Sequence, residues 1–112
     1  VLNEIKTPTS VKRIDTSIPL AYDLSQNYPN PFNPSTTIEF ALPKISKVHV
    51  VIYDILGREV VRLIDGDMKE AGNYRIIWNS QNRFGNTVAT GVYFYRLEAG
   101  GFVSTKKILV LK

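Results

Sequence analysis

The chain of 112 residues has no cysteine, one histidine, one methionine and one tryptophan. Without thiols there are no disulfides, no thiolate nucleophile and no cysteine-ligated zinc, so packing alone must stabilise the fold. Nucleophilic catalysis needs a nucleophile, a base and an orienting acid within reach of one another. The only imidazole, His49, falls inside a β-branched run on the face opposite Val48, Val50 and Ile52. A half-exposed strand histidine is a better reading of it than a general base. It has no second histidine with which to ligate a metal, and the carboxylates are spread too thinly for zinc or a calcium loop. Nothing marks out the pair of acids that a glycosidase needs. No apolar run approaches the roughly 18 residues of a membrane helix. The opening Val1-Leu2-Asn3-Glu4 lacks the basic, apolar and small-residue parts of a signal peptide. As the first residue is not Met, the chain reads as a piece of a larger parent, which would carry any export signal itself.

What the chain does have is an excess of base, with 14 Lys and Arg against 10 Asp and Glu. A basic face can bind a polyanion by releasing counterions. Here the charge is scattered singly over Lys44, Lys47, Arg58, Arg62, Lys69, Arg75, Arg83 and Arg96, mostly beside acids. The only adjacent pairs are Lys12-Arg13 and Lys106-Lys107. Solvated strand faces account for this, and no nucleic-acid partner is expected.

Residues 1–23 mix Thr7-Pro8-Thr9-Ser10, Asp15-Thr16-Ser17 and Ile18-Pro19 without periodicity, and read as an extended linker from the parent. A domain over 24–112 follows. It opens on Gln26-Asn27-Tyr28-Pro29-Asn30-Pro31-Phe32-Asn33-Pro34-Ser35, where each proline fixes φ and removes an amide donor, so neither a helix nor a central strand can form. Period-two alternation then places Ile38, Phe40 and Leu42 on one face of a first strand. Lys47–Tyr53 reads as a second strand, with Val48, Val50 and Ile52 sharing a face. Asp54-Ile55-Leu56-Gly57 reads as a tight turn, Asp54 accepting amides and Gly57 supplying positive φ, with Arg58–Leu63 returning as hairpin partner. Residues Ile64 to Ala71 carry too much charge for a core strand and read as a loop.

Tyr74, Ile76 and Trp78 share the core face of the next strand. Asn79 to Asn86 is a polar turn, and Thr87-Val88 a short strand. In Gly91–Leu97, Tyr93, Tyr95 and Leu97 share a face, and Tyr93 stands where a tyrosine-corner hydrogen bond is possible. Gly100-Gly101 turns the chain into a last strand that runs to Lys112. About seven short strands without a helical window predict an all-β, immunoglobulin-like antiparallel sandwich; an oligonucleotide-binding barrel is the nearest rival.

The glycines are spaced as strand punctuation and make no phosphate cradle, and no cofactor is expected. Asn79, Asn82 and Asn86 could offer oxygens to calcium, though turn chemistry explains them better. Tyr74, Trp78, Tyr93 and Tyr95 could stack on sugar rings, but all four fall on predicted core faces. A structural or carbohydrate-binding accessory module of a secreted enzyme is the alternative that the sandwich pattern leaves open.

Four blocks carry a family resemblance: Leu24 to Ile38, with Asn27, Tyr28, Pro29, Asn30, Pro31, Phe32, Asn33 and Pro34; Ile52 to Val60, with Gly57; Gly91 to Leu97, with Tyr93; and the ending Lys106 to Lys112. Together they closely resemble the type A C-terminal sorting domain of the type 9 secretion system. The Gly57-Arg58-Glu59-Val60 hairpin, the Trp78 strand and the Gly91 segment also resemble the immunoglobulin-like domain of the flagellar hook-capping protein, and the Asn-Pro opening and lysine-ended terminus decide for the sorting domain. The resemblance implies a non-catalytic secretion signal. Its parent would pass through the periplasm, engage an outer-membrane translocon, meet a sortase-like cysteine protease, and end outside the cell or on its surface. Gly100, Gly101, Lys106, Lys107, Ile108, Leu109, Val110, Leu111 and Lys112 are the expected recognition residues, read as a strand edge plus terminal charge.

Overall fold

The computed structural model describes residues 11–15 and 17–111. Within them alternating apolar residues build eight strands: β1 (Val11–Arg13), β2 (Asp23–Leu24), β3 (Thr36–Leu42), β4 (Ser46–Asp54), β5 (Glu59–Lys69), β6 (Gly72–Trp78), β7 (Gly91–Ala99) and β8 (Phe102–Val110). They form two antiparallel four-stranded sheets, ordered β1-β6-β3-β2 and β5-β4-β7-β8. The fold is the all-β sandwich that the periodicity predicts. Its core lies between the sheets: Ile38, Phe40, Leu42, Tyr74, Ile76 and Trp78 from one face meet Val48, Val50, Ile52, Tyr95, Leu97 and Ile108 from the other.

Three local expectations need correction. The charged stretch from Ile64 onward is not a loop, because β5 continues to Lys69 opposite Ser46. Its pairing with β4 shifts register three times, and each shift breaks the alternation by which a strand is recognised. Thr87-Val88 is no strand: Thr87 makes only a single bridge to Gln81, while Val88 is buried. In the stretch read as linker, Val11–Arg13 pairs with β6. Arg13 donates to the Ala71 carbonyl, and its guanidinium lies over Gly72, where a Cβ would collide with it.

Asp54 takes the expected role. Its carboxylate accepts the Leu56 and Arg58 amides at 2.9 Å, while Gly57 sits at φ +82°. Those hydrogen bonds, the Arg58 amide first, hold the Asp54 carboxyl below its usual range. Two tyrosines prop their strands in the same way. Tyr74 and Tyr93 each follow a glycine by two residues, and their hydroxyls donate at 2.7 Å to the carbonyls of Glu70 and Ala89, four residues back. Burial pushes both phenols up.

Candidate functional site: the strap and the last strand

The Asn-Pro segment does more than punctuate. It forms a strap, residues 25–34, that runs beside the outer edge of β8. Phe32 makes a parallel bridge to Val110, its amide donating to the Leu109 carbonyl at 3.2 Å and its carbonyl accepting the Leu111 amide at 3.0 Å. The Asn30 side-chain oxygen accepts the Leu109 amide at 3.0 Å, and Gln26 Nε2 donates to the Lys107 carbonyl at 2.9 Å. These contacts satisfy the Lys107 carbonyl, the Leu109 amide and carbonyl and the Leu111 amide, backbone groups that the C-terminal half of the strand turns away from β7.

The strap is also tied down from beneath. Phe32 is 2% exposed, its ring 5.6 Å from that of Trp78. Asn27 is buried as well. Its Nδ2 donates to Thr36 Oγ1 at 2.8 Å and the Pro29 carbonyl at 3.1 Å, and its Oδ1 accepts from Gln26 at 2.6 Å. Tyr28 bridges Thr37, and its hydroxyl donates to Glu39 at 2.7 Å, a hydrogen bond that raises its pKa. The Pro34 carbonyl accepts from Ser80, which is buried. The bonds Tyr28-Pro29, Asn30-Pro31 and Asn33-Pro34 are cis. The structure thus joins the motif Asn27–Pro34, with Gln26 beside it, to Lys107–Leu111, two blocks far apart in the sequence.

Residues 26–111 match the family described as the secretion system C-terminal sorting domain. The chain belongs to this family. As the resemblance implied, it is a C-terminal sorting domain of the type 9 system, a family of signal domains without catalysis, and its role directs secretion toward the cell surface or exterior. No curated protein matches the chain. Among solved structures, the sorting domain is similar to part of dimeric latent PorU from Porphyromonas gingivalis, with 24% identity and a TM-score of 0.63 over 99% of this chain and 10% of that one. It is also similar to part of PorZ, a surface component of the type-IX secretion system of the same organism, with 24% identity and a TM-score of 0.54 over 81% of this chain and 11% of PorZ. It spans about a tenth of the length of either, and the likeness is one of fold.

Of the other residues singled out in the sequence, Gly57 stands apart from the strap at the β4–β5 turn, whereas Gly91 pairs with Val110, the residue that Phe32 bridges, and the Tyr93 ring packs on Trp78 as Phe32 does. Gly100-Gly101 form the β7–β8 turn, with Tyr22 packed against Gly100 and stacked on Phe102. Lys106 and Lys107, adjacent in a strand, point to opposite faces of the sorting domain's second sheet. Lys106, opposite Tyr95, is half-buried, and Lys107, opposite Phe94, is exposed. Ile108 and Val110 are core residues, Leu109 is half-buried and Leu111 is exposed. Lys112 lies outside the described residues.

His49 is half-exposed on the outer face of the second sheet, with Nδ1 3.8 Å from Asp65. It shares a shallow depression with Val51, Tyr53, Arg62, Arg96 and Glu98, none of them a nucleophile of the serine or cysteine kind. Asn82 spends its side-chain oxygen on the Phe84 and Asn86 amides at 2.9 and 3.0 Å, ordinary turn chemistry. Tyr74, Trp78, Tyr93 and Tyr95 are all buried. Among the described residues no helix is long and apolar enough to cross a membrane.

Sequence reasoning missed the strap's seat on β8. The one available signal is Phe32, a large apolar residue isolated among prolines and asparagines, which must bury itself somewhere. Nothing local says where.

Proposed function

We propose that this sorting domain carries a larger parent through the periplasm to an outer-membrane translocon, and that the strap and β8 together present the feature the translocon reads. One observation carries the reading: Asn30 and Phe32 of the Asn27–Pro34 motif are hydrogen-bonded to the backbone of Leu109 and Leu111, so motif and terminal strand form one structural unit. Gly100, Gly101 and Lys106 to Lys112 supply the strand and its charge. Residues 1–23 connect the domain to its parent and also lend β1 and the start of β2 to the sandwich that residues 24–112 complete. A sortase-like cysteine protease would find an accessible substrate in the segment between β1 and β2, where Ile18 and Leu20 are exposed. Release there would leave the parent outside the cell or on its surface.

The test is to fuse residues 1–112, which keep β1 in place, to an exported reporter in a host with a type 9 system. The reporter should reach the medium or the cell surface. Retention of the intact fusion in the periplasm would defeat the reading. Lys106→Ala and Lys107→Ala, tested separately because the two side chains face opposite ways, should each retain the fold and lower export. Normal export of both would show that charge is not read.

A further inference from the structure

Two open sheets have four edges, and in this molecule three of them are blunted. β1 is three residues long and β2 two. β5 is long, but three register shifts bend it, and it carries Asp65, Asp67 and Lys69. Shortness, bulges and charge are the means by which proteins stop an edge from pairing with another chain. β8 is neither short nor bulged, and its charges are confined to Lys106 and Lys107 in mid-strand. It pairs with β7 through nine consecutive residues without a shift and contains no proline.

The outer edge of β8 is divided into two halves. The strap occupies Lys107, Leu109 and Leu111. Backbone groups alternate along a strand, so those of Val103 and Thr105 face the same way, and no hydrogen bond among the described residues reaches them there. Both residues are β-branched and exposed, Val103 to 54%. Gln26, bound to the Lys107 carbonyl, marks where the open half ends. Lys106 and Lys107 stand at that boundary, and neither joins an ion pair among the described residues.

We propose that the open half of β8, Phe102–Lys106, accepts one extended segment of a partner protein as an added strand, the partner placing a carboxylate beside Lys106 or Lys107. Backbone hydrogen bonds to Val103 and Thr105 supply the attachment, and the end of the strap sets its register. The inference rests on the sorting reading and names the contact by which the domain is gripped.

Thr105→Pro removes the outward N–H without touching the β7 ladder, a substitution that edge strands tolerate. Thr105→Val keeps the N–H and serves as the control. Both are made in the reporter fusion, and thermal melts of the 1–112 chain confirm folding. The expected result is export of the parent and Thr105→Val fusions, with a loss of roughly tenfold or more for Thr105→Pro, as forfeiting a buried backbone pair implies. Normal export of a folded Thr105→Pro fusion overturns the edge while the sorting reading stands. If the parent fusion itself stays inside, both fall. Should Thr105→Pro unfold, Val103→Pro, which removes the neighbouring outward N–H, decides in its place. Sedimentation of the isolated chain should show a monomer; a dimer abolished by the proline would mean that a second copy takes this edge, and would overturn the assignment to a partner.

Discussion

Replacing Trp78 by alanine tests the packing on which the strap depends. The indole is 1% exposed, with the Phe32 ring at 5.6 Å and the Tyr93 ring at 5.9 Å, and its Nε1 donates to the Gln81 carbonyl at 2.9 Å. Emptying such a site costs about 3–5 kcal/mol. A domain of this size is stable by about 5–15 kcal/mol, so a large share would go. At a urea slope near 1–2 kcal/mol per molar, the midpoint should fall by about 1.5 M or more. Because Trp78 is the only tryptophan, the melt must be followed by circular dichroism. Trp78→Phe keeps most of the apolar contact and loses the Gln81 hydrogen bond, which predicts a smaller cost of about 1–2 kcal/mol. A cycle with Phe32→Ala should return a coupling of about 0.5–1.5 kcal/mol between the two rings. An unchanged midpoint for Trp78→Ala would refute the core assignment, and zero coupling would refute the claim that the strap is seated through this pair.

Gly57→Ala forces a Cβ into a turn at φ +82° and should cost about 1 kcal/mol, read as a lower denaturation midpoint with unchanged slope. Tyr95 donates at 2.6 Å to the Ser25 carbonyl, and burial pushes its phenol from 10.0 up to about 12. The folded state therefore holds the proton more tightly than the unfolded chain. That contribution is complete below pH 10 and is lost as pH rises toward 12, so the alkaline decline in melting temperature should be shallower in Tyr95→Phe. Asn27→Ala leaves Gln26 without the partner that orients it toward Lys107. Amide exchange at Leu109 and Leu111 should quicken in this variant, and unchanged exchange would mean that the strap holds without it.

The strands β3, β6, β7 and most of β4 and β8 were legible because each buries one face, and period two then follows from the geometry of the backbone. The Asp54–Gly57 turn was legible because its two ends need particular residues. The second half of β5 was not, since Val60, Leu63 and Gly66 are left unpaired by the register shifts and the faces exchange at each one. β1 is too short to show a period at all. The seat of the strap escaped for a different reason: Asn30 and Leu109 are 79 residues apart, and a side chain bonding a backbone amide asks nothing of the sequence around that amide. The lysine pair illustrates the converse. Two adjacent charges look like one patch in a sequence, yet a strand must send them to opposite sides.

The long span from Phe32 to Leu109 sets the order in which the molecule can be completed. A ribosome delivers the strap well before the edge that receives it, so Phe32 must wait until β8 has been made before it can be buried. A chain that stops before Ile108 has no seat for the aromatic ring and leaves it exposed beside Trp78. The finished sandwich therefore certifies that translation passed through β8, and a secretion apparatus that accepted only the closed form would pass cargo carrying that strand and hold back chains cut short of it. Truncated chains ending at Lys106 should be degraded or retained, and their bis-ANS fluorescence should exceed that of the intact domain; equal dye binding would show that closure does not wait for β8.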